Sequence, residues 1–448
     1  MLKISKRVVS SLLAAALAAA AFTGCSGQEQ PQSQAQPLGG SSAASSEGSP
    51  QSAEKETISI MPNASWWLEP MEKMAEEIEA KTNVAVDVQK VPDGAEGQKI
   101  LKTKLAANEL PDLVCWAGGS FLTQLNPDQS LMPITDLSVA DTLLDEVKEP
   151  MSYQGTLYGV PLCSNGWGFE GILYSKPLFE ELNLSIPTTS DELTQVCEAI
   201  KAAGKVPWWM SFKDAWTTTQ VPENYWAWIE KNNPDFTKSI AGNTLKLVDV
   251  PEYIEALSFN RMIIEKGYCN EDYSTATYDA GLKALVDGEA GMYPQGAWAF
   301  GVLEANYPDQ KDNVGFFAHP IDGNNVLAVS PMIGIYISKN TQKLDAVEKW
   351  LQCYATDGQK QYYASSTGLP MFKDIEPNLS GTYKEVVENY FNKGDWAYNE
   401  QVGLPIMFPD WEPVMVSVSA GETSPEDAAA TLDRGLADAC EMIGWPGW

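Results

Sequence analysis

Thr57-Ile58-Ser59-Ile60-Met61 alternates apolar and polar side chains like a short, half-buried strand. Leu68, Met71, Ala75 and Ile78 follow on one face of an acidic, helix-like segment. Val84, Val86 and Val88 alternate again. Pro92-Asp93-Gly94 marks a turn, and residues 100–107 read as helix. Pro111-Asp112-Leu113-Val114-Cys115-Trp116 is a short apolar run suited to a buried strand. This β-α-β-α-β order predicts a mostly parallel sheet covered by helices, an α/β fold.

The style persists along the chain. Thr189 and Glu192 form a capping box opening a helix through Ile200. Residues 290–293 and 314–317 look like buried strands flanking a helix over 298–305. Residues 332–338 read as a strand, followed by a helix carrying Leu344, Val347 and Leu351. Ser424 caps the last long helix, with Pro425 at its first position. Tyr225, Trp226 and Trp228 have helical spacing and are expected in the core.

The first residues have a different character. Lys3, Lys6 and Arg7 precede an apolar run over 8–22, too short for a comfortable span and suited to a signal segment. It ends in Phe22-Thr23-Gly24-Cys25, which resembles a bacterial lipobox with Cys25 as the lipidated residue. Residues 26–55 are rich in Ser, Gln, Gly, Pro and Ala. Such a stretch cannot bury enough surface to fold, and as a tether it would reach ~30 Å on average. Expected, then, are a signal over 1–25, a tether over 26–55 and a globular body held outside a membrane by lipid alone.

The whole chain of 448 residues carries 60 acidic and 30 basic side chains, a formal net charge of −30. That balance argues against nucleic acid, whose binding needs clustered Lys and Arg. His319 is the single histidine, so His-rich metal sites and a Ser-His-Asp triad are disfavoured. Placed before Pro320, it reads as a structural group. No cofactor or metal is expected. Cys115, Cys163, Cys197, Cys269, Cys353 and Cys440 show no CxxC spacing and mostly have apolar neighbours. They read as small buried hydrophobes, although an exported protein could pair some of them.

Several stretches, taken in order, resemble the bacterial family 1 extracellular solute-binding proteins, the carbohydrate-type receptors of ABC importers. They include Pro111-Asp112-Leu113-Val114, Leu157-Tyr158-Gly159-Val160-Pro161 and Leu173-Tyr174-Ser175-Lys176-Pro177. Ile186-Pro187-Thr188-Thr189-Ser190, Glu289-Ala290-Gly291-Met292-Tyr293 with Gly296-Ala297-Trp298, and Thr367-Gly368-Leu369-Pro370 continue the series. The resemblance implies a two-lobed, periplasmic-binding-protein-like (type II) fold with a multi-strand hinge and the ligand cleft between the lobes. It implies a first lobe over 56–162 and 326–370, and a second over 163–325 and 371–448. The chain would cross near 161–167, return near 320–325 and cross again around Pro370. It also implies a monomer that hands its ligand to membrane permease subunits.

A sugar offers apolar C–H faces and a rim of hydroxyls, so its cleft needs aromatic faces beside fixed polar groups. The candidate ligand-binding residues lie on loops after strands and on the crossings. They are Asn63, Trp66 and Trp67 after the first strand, Gly118 after the third, and Asn165 and Trp167 on the first crossing. Lys213, Asp214 and Trp216 resemble a Lys-Asp-x-Trp segment of the family; Lys213 and Asp214 could equally pair only with each other. Trp298 and Trp411 match positions where the family stacks Trp on sugar, and Gly368 would border the cleft. Two other functions stay open at this point. An anchored glycoside hydrolase would need two carboxylates about 5–9 Å apart across the cleft. A receptor for a peptide or another charged solute is the third, against which the Trp-rich loops lean.

Overall fold

A computed structural model describes residues 55–448. Cys25, the signal segment and nearly all of the tether lie outside the described residues. Two main sheets organise the rest. The first has five strands in the order Val84–Val88, Glu56–Met61, Leu113–Ala117, Ile333–Ile337, Gly159–Pro161. Its first three strands run parallel, as the alternation predicts, and Ile333–Ile337 is antiparallel to both its neighbours.

The helix Glu69–Thr82 joins the first two strands of the chain, with Pro70 in its first turn, where a missing N–H costs nothing. Its buried face is Met71, Met74 and Ile78. Leu68 is therefore not part of that face: it is the helix N-cap and lies exposed. The capping box at Thr189 is present, with Thr189 Oγ1 accepting from Glu192 N at 3.2 Å. The Glu192 carboxylate reaches back to Thr188 N at 2.7 Å. Ser424 caps the last helix, Pro425–Ile443, as expected.

The second sheet runs Trp396–Tyr398, Leu327–Ser330, Gly168–Ser175, Ala290–Gly296, Val206–Trp208. Gly168–Ser175 is its axis. Along one edge, its first half pairs with Leu327–Ser330 and its second half with Val314–Phe317. Because those two strands share one edge, the segment between them stays with the second sheet. Its backbone is held there by Ser190 N donating to Ile321 O and by a bridge from Thr189 to Asp322. The return to the first sheet therefore falls after Ser330, at Pro331 and Met332, and not near 320–325. The turn-like Asp322-Gly323-Asn324 resembles a crossing in sequence but only links two strands of one sheet. Residues 162–167 carry the chain from the first sheet to the second.

Cys115, Cys163, Cys197 and Cys440 are buried as small hydrophobes, whereas Cys269 and Cys353 are half-buried. All six described are free thiols. Burial pushes the thiols of Cys163 and Cys197 up to about 12, which suppresses thiolate chemistry. His319 is buried against Trp208, Tyr225 and Phe259. Burial pulls its pKa down to about 3, so it is neutral and structural.

Candidate ligand site

A cavity of about 410 Å³ opens where loops from both sheets meet. From the first lobe it receives Phe121, on the 3-10 segment Gly119–Leu125 that follows the strand Leu113–Ala117. From the last position of the strand Leu327–Ser330, just before the crossing, it receives Ser330. The second lobe supplies the rest, chiefly from loops beyond the carboxyl ends of its strands, where α/β sheets gather ligand sites.

Three tryptophans form its aromatic walls: Trp216, Trp298 and Trp411. Trp298 begins the helix Trp298–Asn306, just past the strand Ala290–Gly296. Its indole donates to Gln295 Oε1 at 3.2 Å. Gly296 makes that posture possible, since a Cβ there would sit 2.1 Å from the Trp298 ring. Trp216 meets Trp298 edge-on, centroids 6.1 Å apart at 65°. Behind Trp216 lies Tyr278, whose backbone N–H donates to Asp214 Oδ2 at 2.7 Å. Asp214 thus braces the aromatic wall from behind. Trp411 packs against Phe408 at the start of the helix Trp411–Ser419.

Polar groups stand among these rings. Glu170, on the axial strand, is paired in register with Gly296, which puts its carboxyl beside the Trp298 turn. Asn399 Nδ2 donates to both its oxygens, at 3.2 and 3.3 Å. Glu223, in the first turn of the helix Gln220–Asn232, accepts from Thr219 Oγ1 at 2.6 Å, Gln220 Nε2 at 2.9 Å and Gln401 Nε2 at 3.1 Å. Burial raises the Glu223 carboxyl to about 7. Burial, with Glu223 and Glu400 nearby, lifts Glu170 well above the usual carboxylate range. Glu400 is raised in the same way, by burial and then by Glu223.

The sequence-predicted residues divide clearly. Trp216, Trp298 and Trp411 come together. Trp67 does not join them: it is fully buried in the core of the first lobe. Trp167 is also core, packed edge-on against Phe391 at 4.8 Å and Trp396 at 6.2 Å. Gly118 has no free donor for a ligand, because its N–H goes to Met332 O at 3.0 Å. Its neighbour Gly119 donates to Pro150 O at 2.6 Å and has φ +58°. A Cβ on Gly119 would lie 2.1 Å from Gln401 O, so this glycine lets the two lobes' backbones touch. Gly368 is buried against Tyr363, bonded to Asn378, and outside the cavity wall.

Asn63 precedes and Trp66 ends the turn Ala64–Trp66, and neither lines the cavity. The Trp66 carbonyl accepts from Ser164 Oγ at 2.6 Å. Asn165 is described only as the end of the turn Cys163–Asn165 on the first crossing. Lys213 is exposed, and the Asp214 carboxylate accepts from Tyr278 N, with no ion pair between Lys213 and Asp214 among the described residues. Sequence reasoning missed Glu170, Glu223, Gln220, Gln401 and Phe121. Glu170 did leave a signal, as one charge inside the otherwise apolar strand Gly168–Ser175.

The profile of the bacterial extracellular solute-binding proteins matches residues 64–361. The chain belongs to that family. Among relatives of this solute-binding protein, the multiple sugar-binding protein of Streptococcus mutans is 24% identical over 294 residues, 64% of this chain and 68% of that one. Among solved structures, a chitin oligosaccharide binding protein superposes with a TM-score of 0.73 at 20% identity, covering 86% of this chain and 98% of that one. The solute-binding protein RafE in complex with raffinose superposes with a TM-score of 0.68 at 20% identity, covering 85% and 99%. These likenesses establish the two-lobed α/β solute-binding fold.

Proposed function

We propose that this solute-binding protein captures a sugar or oligosaccharide between its lobes and passes it unchanged to the permease of an ABC importer. The observation that carries the reading is the wall of Trp216, Trp298 and Trp411 interleaved with Gln220, Glu223 and Gln401. Indole faces cover C–H surfaces, and fixed amides and carboxyls pair with hydroxyls. A volume of about 410 Å³ suits a small ligand held by both lobes. The names of the relatives point the same way. The first lobe takes in 56–162 and 333–373, where Met371 and Lys373 bond the backbone of Leu144 and Thr142, the second takes in 163–330 and 381–448, and closure about the crossings traps the sugar.

An anchored hydrolase is the weaker reading. Glu170 and Glu223 belong to one lobe and already accept hydrogen bonds from Asn399, Thr219, Gln220 and Gln401. That leaves them poorly set for opposed attack on a glycosidic bond. Adding neutral tri- and tetrasaccharides singly to the full-length protein is expected to change Trp fluorescence saturably, with the sugar recovered intact. Reducing ends appearing with turnover would establish hydrolysis instead.

The same reading places the protein on the extracellular side of the membrane, anchored through lipid on Cys25 and acting as a monomer. A labelled fatty acid fed to producing cells is expected to enter the wild type, and Cys25→Ala is expected to lose the label and appear in the medium. Retention of Cys25→Ala in the membrane fraction would reject the anchor.

A further inference from the structure

The charge of the cavity wall is one-sided. Glu170, Glu223, Asp410 and Glu412 line it, and among the described lining residues none is Lys, Arg or His. Among the described residues, the titratable groups that bear on Glu223 are also acidic: Glu170 on the axial strand, Glu400 on the late loop, Glu412 on the helix Trp411–Ser419, and Tyr253 on the helix Pro251–Glu265. A second observation concerns an unsatisfied acceptor. Gln220 lines the cavity and is 4% exposed, yet its Oε1 has no hydrogen-bond partner. A buried acceptor left empty is costly, and a ligand bringing hydrogens would relieve it. Glu400 is fully buried behind the wall, where its carboxyl faces the Trp411 indole.

Resting on the carbohydrate reading, we propose that these side chains make the cleft a charge filter: it admits neutral and amino-bearing saccharides and rejects saccharides carrying a carboxylate, with Glu223 as the specificity-determining residue. Hydroxyls and ammonium groups are donors, which the empty Gln220 Oε1 needs. The ionised carboxylate of a uronate is an acceptor only and brings a like charge, and like-charge juxtaposition in an interface costs several kcal/mol.

Calorimetric titration of the full-length protein tests this with saccharides matched in length. Cellotriose, xylotriose, maltotriose and raffinose are the neutral probes. The β-1,4 glucosamine trimer is the amino probe, and the β-1,4 glucuronic acid trimer and trigalacturonic acid are the anionic probes. At pH 8 both anionic probes are expected to bind at least about a hundredfold more weakly than the best neutral or amino probe, a conversion of like-charge costs at tenfold per 1.4 kcal/mol. The gap is expected to narrow at pH 5.5, where the carboxyls hold protons and can donate. Glu223→Gln is expected to narrow it about tenfold at pH 8. An anionic trimer binding within tenfold of the best neutral probe overturns the filter while leaving sugar capture standing. An unchanged gap in Glu223→Gln, with neutral binding intact, overturns the role of that residue. Silence from every probe, neutral and charged, overturns both the filter and the carbohydrate reading.

Discussion

Replacing Trp298 by Ala is expected to weaken saccharide binding by at least about thirtyfold, while the thermal midpoint without sugar moves by only a degree or two. The indole is partly exposed at the cavity wall, so its loss removes a stacking face more than a core contact. Truncating an aromatic at the centre of a binding site commonly costs 2 kcal/mol or more, and each 1.4 kcal/mol is about tenfold in affinity. Trp298→Phe keeps a flat apolar face but loses the hydrogen bond to Gln295, and should recover part of the affinity. Trp167→Ala is the contrasting control. That ring is core, so its removal should cost about 3–5 kcal/mol of stability and act on binding only through folding. Isothermal titration beside thermal melting separates the cases. Unchanged affinity in Trp298→Ala, with the fold intact, would remove the main support for the aromatic wall.

The contrast between Trp298 and Trp167 also shows what was legible in the sequence. Strand alternation over 57–61 and 84–88 and the apolar run near Leu113 specify strands, because period two is a local property of the chain, and the helices between them specify parallel pairing. Caps at Thr189 and Ser424 were legible for the same reason. The return crossing was not, because whether Leu327–Ser330 joins one sheet or the other depends on which edge has a free partner. Trp67 and Trp167 have the same composition-level signature as Trp216. Only three-dimensional packing decides that the first two fill cores and the third faces a cavity. Glu223 and Glu400 lie 177 positions apart in the sequence. Their proximity arises from tertiary folding, and no spacing rule finds it.

Sugar-free protein is expected to lose stability as pH rises from about 5 to 8, and Glu223→Gln is expected to flatten that decline. The folded protein raises Glu223 from 4.5 to about 7, chiefly by burial. A carboxyl whose folded pKa exceeds its unfolded one binds protons more tightly in the native state. Its contribution is fully present below about pH 4.5 and is lost as pH rises through the folded value. For Glu223 that loss is about 3 kcal/mol, at 1.36 kcal/mol per unit. Glu170 and Glu400 shift in the same direction and add to the slope. His319 works the other way: its pKa falls to about 3, so its contribution is complete above pH 6.5 and shrinks as pH drops from there toward 3. A single histidine against three carboxyls leaves the net slope downward above pH 5. Chemical denaturation at half-unit intervals from pH 5 to 8 measures this directly. In Glu223→Gln no proton is lost at that position, so the variant should gain on the wild type steadily toward pH 8. Parallel curves for the two proteins would mean that Glu223 is ionised at no net cost, and that a cation or water network compensates it inside the lobe.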